Sequence, residues 1–93
     1  MFGLFKRQDP RFQDDGNFLL CQVRTKPHGE IINVRLSKTS EMSMNRSGYF
    51  VRKSLIGPNS LDRAELEVNM NRNHKVISAD VTGGELLEIG QWE

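Results

Sequence analysis

Between residues 64 and 70 the chain alternates without a fault: Ala64, Leu66, Val68 and Met70 in one set of positions, Glu65, Glu67 and Asn69 in the other. A period of two sends successive side chains to opposite faces, the mark of a half-buried β-strand. Helix propensity argues the other way for alanine, leucine, glutamate and methionine. Asn59 or Ser60 as the cap of a helix through 61–67 is the rival reading. Because the same alternation returns along the chain, the pattern decides for a strand at 61–70.

The other strands follow from the same period. Residues 18–25 set Leu19, Cys21 and Val23 against Gln22 and Arg24, and residues 30–38 set Ile32, Val34 and Leu36 against Asn33 and Arg35. Lys26-Pro27-His28-Gly29 between them reads as a hairpin turn. Residues 48–56 alternate Tyr49, Val51 and Leu55 with Phe50, Arg52 and Ser54, and residues 75–81 alternate Ile77, Ala79 and Val81 with Ser78 and Asp80. Residues 85–89 suit a strand or a short helical turn. Polar residues 39–47 read as a long loop, 57–60 and 71–73 as turns, and Gly83-Gly84 as a two-residue hairpin. The expectation is an all-β fold: a small antiparallel meander of about six strands, barrel-like or sandwich. Residues 1–17 form an N-terminal arm, ordered if its phenylalanines dock, and 18–93 a single small β domain.

Ninety-three residues make one domain with a thin core. Cys21 is the only cysteine, so no internal disulfide can form and a reducing, cytoplasmic setting is expected. No run approaches the roughly 20 apolar residues of a membrane span. The start, Met-Phe-Gly-Leu-Phe-Lys-Arg, has its charges after its apolar residues, the reverse of a secretory signal. The net charge of +1 is unevenly spread. Residues 22–53 hold seven basic and two acidic groups, and residues 54–93 three basic and seven acidic. Either basic strands pair with acidic ones in a sheet, or the basic segment is a footprint for nucleic acid.

No pattern of residues commits the chain to catalysis. Cys21 as a nucleophile with His28 or His74 as base needs an exposed electropositive setting; its place in line with Leu19 and Val23 suggests the core. The same three residues lack the close-spaced pairs of a zinc site. Gly83-Gly84 is not followed by the lysine and hydroxyl of a phosphate loop. Glu65 and Glu67 share one strand face and suit a solvated surface better than acid–base work. The expectation is a protein without cofactor or metal that is not an enzyme. It is instead a binding module acting through protein–protein contacts, with a protein partner or a second copy of itself (a homodimer). The arm residues Phe2, Leu4 and Phe5 are candidates for docking. The alternative is single-stranded nucleic-acid binding through 22–53. Arg24, Lys26, Arg35, Lys38, Arg46, Arg52 and Lys53 would contact phosphates, and Tyr49 or Phe50 would stack on bases. That alternative requires the cations to gather unneutralised on one face.

Overall fold

The computed structural model describes residues 9–93. The chain runs through β1 (Gln13–Asp15), β2 (Phe18–Thr25), β3 (Ile31–Ser37), β4 (Ser43–Met44), β5 (Tyr49–Ile56), β6 (Arg63–Met70), β7 (Val76–Thr82) and β8 (Gly84–Leu86). One turn of 3-10 helix, Ile89–Gln91, follows. The all-β expectation holds, with two short strands, β1 and β4, added to the six. The helix through 61–67 does not form. Residues 85–89 divide between the end of β8 and the start of the 3-10 turn.

Among the described residues all strand pairings are antiparallel, and they make two four-stranded sheets. In the first, β3 runs along one edge of β2, while β1 pairs with residues 18–20 and β8 with residues 23–25 of the other edge. The second has the order β4-β5-β6-β7. Each sheet turns its apolar set inward. Leu19, Cys21, Val23, Val34 and Leu36 from the first meet Val51, Leu55, Leu66, Val68 and Met70 from the second in one core.

The result is a sandwich, and the barrel alternative is not realised. Among the described residues no ladder joins the two sheets, neither between β7 and β8 nor between β3 and β5. Lys53 lies between β3 and β5 instead. It stands on the inner face opposite Leu66, donates to the Arg35 carbonyl oxygen at 3.3 Å, and pairs with Glu41 at 2.7 Å. An inward-pointing charge of this kind blunts an open sheet edge.

Four sequence expectations change. Phe2, Leu4 and Phe5 lie outside the described residues. Of the rest of the expected arm, Phe12 docks in the core and residues 13–15 form β1. Ile77 does not face inward. A bulge after Val76 gives that residue the position opposite Met70 and leaves Ile77 exposed. Gln22, expected on a solvated face, is only 3 % exposed. The end of the chain lies across it, with the Glu93 N–H donating to Gln22 Oε1 and Gln22 Nε2 donating to the Glu93 carbonyl.

The fourth change concerns Gly83-Gly84, which is not a hairpin turn. The strands on either side of Gly83 belong to different sheets: β7 pairs with β6, and β8 with β2. The chain crosses between sheets here by passing close to two main chains. A Cβ on Gly83 would run into the Arg63 carbonyl oxygen on β6, and one on Gly84 into the Arg24 carbonyl oxygen on β2. Gly83 also has φ +83, the left-handed region. Both positions thus need glycine for close approach.

Candidate interaction surface at the turn between β5 and β6

Residues 57–62 join β5 to β6, and two carboxylates clamp them to the turn between β2 and β3. Asp62 is nearly buried. Its Oδ2 accepts from the Thr25 hydroxyl at 2.9 Å and the His28 N–H at 3.0 Å, and its Oδ1 lies 2.7 Å from His28 Nδ1. Burial alone would raise the Asp62 carboxyl, but these His28 and Thr25 hydrogen bonds outweigh it and hold the group below its ordinary 3.8. Glu30 is the second clamp. It accepts from the Ser60 hydroxyl at 2.7 Å and from the Ser60 and Asn59 N–H groups at 2.9 and 3.1 Å. Ser60 first, with Asn59 adding to it, holds Glu30 below its ordinary 4.5.

Main-chain bonds from Leu61 N–H to the Gly57 carbonyl and from Gly57 N–H to the Asp62 carbonyl close the turn. So tied, Leu61 adopts φ +62 and projects its side chain outward, 71 % exposed. Ile56, the last residue of β5, is 54 % exposed. Beside it on the outer face of the second sheet runs an open groove of about 360 Å³. Its lining includes Ile56, Arg63, Ser54, Glu65 and Thr82. Within this face Arg63 stands across from Ile56, and Glu65 between Ser54 and Thr82. Among the described residues neither Arg63 nor Glu65 has an ion-pair partner. One row further along, Arg52 closes on Glu67 at 2.7 Å.

The basic segment is not gathered into a free face. Arg24 pairs with Glu85 and Glu93, Lys38 with Asp14, Arg52 with Glu67 and Lys53 with Glu41. Arg35 lies over the Phe18 ring, 4.5 Å from its centroid. Lys26 and Arg46 are exposed, in turns at different places in the fold. Nor do Tyr49 and Phe50 share a face. Tyr49 turns inward opposite Met70, while Phe50 lies outward opposite Asn69. Four of the seven cations are thus neutralised within the chain; two of them, Arg24 with Glu85 and Arg52 with Glu67, pair strand to strand with the acidic last third, while Lys38 and Lys53 find Asp14 and Glu41 outside it.

Cys21 is 2 % exposed, and burial pushes its thiol up to about 12. His74 stacks on Tyr49 with ring centroids 4.0 Å apart. Burial, with Lys38 adding to it, holds its imidazole below the ordinary 6.5. His28 has a mostly exposed ring, yet its Nδ1 is committed to Asp62. Among the described residues no group of three or more His, Cys, Asp or Glu is placed to hold a metal ion, and no helix is long and apolar enough to cross a membrane.

Sequence reasoning missed the clamps of Asp62 and Glu30 and the exposure of Leu61. The available signal was a leucine between Ser60 and Asp62 in a turn otherwise made of glycine, proline and asparagine. No protein family, curated protein or solved structure matches this chain.

Proposed function

We propose that the chain is a non-catalytic binding module that acts through protein–protein contact, and that the turn between β5 and β6 is its contact surface. The observation that carries this is Leu61. A left-handed backbone costs a leucine about 1–2 kcal/mol relative to the right-handed region. Glycine or asparagine is the usual solution at such a position. The leucine side chain recovers little of that cost inside the chain, because 71 % of it is exposed. Ile56 stands exposed at the foot of the same turn, beside the groove. An apolar residue held outward at a conformational cost gains its return when a partner covers it.

The test separates backbone from side chain. Leu61→Ala keeps the backbone cost and removes the exposed group, so its melting temperature should stay near that of the parent. Leu61→Gly removes the backbone cost as well and should melt no lower than Leu61→Ala, against the usual advantage of alanine over glycine. If Leu61→Ala instead loses about 2–5 kcal/mol, as a core truncation does, the side chain works inside the fold. The contact surface then loses its basis.

A further inference from the structure

We infer that the partner at this surface is a second copy of the same chain, related by a two-fold axis, with Arg63 of each copy meeting Glu65 of the other. The inference rests on the contact surface proposed above and adds its occupant. Arg63 and Glu65 are two residues apart on one face of β6, about 7 Å by strand geometry. They carry opposite charges, both border the groove, and neither has an ion-pair partner among the described residues. The residues directly opposite them across the strands, Ile56, Ser54 and Thr82, are uncharged.

A surface with one positive and one negative group side by side is its own complement after a rotation of 180°. That is the requirement of an isologous contact, in which residue i meets residue j and j meets i. The apolar part fits the same operation. Ile56 and Leu61 of each copy would shield the two ion pairs from water, and pairs shielded in this way are stronger than exposed ones. A polyanion is a poorer match, because the two charges cancel. The row beyond, Arg52 with Glu67, is already closed and limits the charged contact to this end of the sheet.

Charge reversal tests this with the whole chain. Light scattering or sedimentation over a concentration series should show the parent protein passing from monomer to dimer. Arg63→Glu leaves two acidic groups at the contact, and Glu65→Arg leaves two basic ones. Each should weaken self-association at least about tenfold, since like charges face each other across the axis. Mixing the two variants should restore a dimer, now of one copy of each, and the double variant R63E/E65R should dimerise alone. Both residues lie on the sheet's outer face, and an unchanged circular dichroism spectrum shows that a variant has folded. Single reversals that leave the dimer intact, or a mixture that stays monomeric, overturn the inference. A parent chain that is monomeric at every concentration also refutes the second copy. The stability comparison at Leu61, read on the monomer, would still stand and leave the contact surface to a different protein.

Discussion

Replacing Gly83 places a side chain against the carbonyl oxygen of Arg63, at the point where the chain leaves one sheet for the other. A Cβ there would sit well inside the 3.0 Å that real Cβ contacts keep, and the obstructing atom is main chain of a paired strand, which cannot swing aside. Two costs combine for Gly83→Ala. The left-handed backbone contributes about 1–2 kcal/mol. Forcing an extra carbon into a packed site contributes about 1–3 kcal/mol more. The loss of chain freedom in the unfolded state returns about 0.4–1 kcal/mol, leaving a net of roughly 1–5 kcal/mol centred near 3. For a domain of this size each kcal/mol lowers the melting temperature by about 4–8 °C, so a fall of roughly 10–25 °C is expected at the central value. Gly16 is the control. It has φ +64 with nothing near its Cβ, so Gly16→Ala carries the backbone cost alone, about 1 kcal/mol or less after the same return. Asparagine sharpens the comparison because it tolerates the left-handed region. Gly16→Asn should be close to neutral, whereas Gly83→Asn should be as damaging as Gly83→Ala. Thermal unfolding followed by circular dichroism reads all four. Equal melting of Gly83→Asn and Gly16→Asn would show that position 83 is an ordinary turn, and the account of the crossing would be wrong.

Cys21 should resist alkylation at neutral pH while the chain is folded, because the thiolate is the reactive form and burial pushes the thiol up to about 12. Labelling should become fast only in denaturant, and fast labelling of the native chain would contradict the packing of β2. Asp62 and Glu30 both lie below their ordinary values of 3.8 and 4.5, so the stability they contribute is present above those values and lost as pH falls through the depressed ones. Urea midpoints measured from neutral pH downward should therefore drop in acid. Asp62→Asn should begin less stable at neutral pH and lose less on acidification; an unchanged acid slope would show that the clamp does not carry the effect. Lys53→Glu should open the side of the sandwich between β3 and β5, since it sets a second carboxylate beside Glu41. Faster amide exchange along β3 and β5 than along β2 and β6 would report that opening, and uniform exchange would refute it.

The strands were legible because alternation is a local property. Residues 18–25 and 64–70 each carry their own record of which side chains are buried, and the structure assigns Leu19, Cys21, Val23, Leu66 and Val68 to the core as that record requires. The polar segments around Pro27 and Pro58 likewise announced turns, because proline and glycine restrict or free the backbone wherever they stand. The bulge at Ile77 broke the alternation in β7, and nothing in the residues themselves marks an inserted position. Gly83-Gly84 read as a hairpin because the sequence cannot say whether glycine is present for its φ or for lack of a Cβ. That depends on Arg63 and Arg24, residues brought alongside only by the pairing of β6 with β7 and of β2 with β8.

The candidate surface was hidden for the same reason. Asp62 finds Thr25 and His28 at 37 and 34 positions' distance along the chain, and Glu30 finds Ser60 at 30. The outward set of Leu61 follows from those clamps. Gln22 is buried by a chain end 71 residues away. The sequence by itself determined the longer strands and, outside the bulge at Ile77, which of their apolar side chains face inward, since both follow from the spacing of neighbours along the chain. The tertiary structure alone decided which edges meet, which cations are neutralised and which apolar groups stay uncovered. Those outcomes depend on contacts between segments far apart in the chain, and no local pattern encodes them.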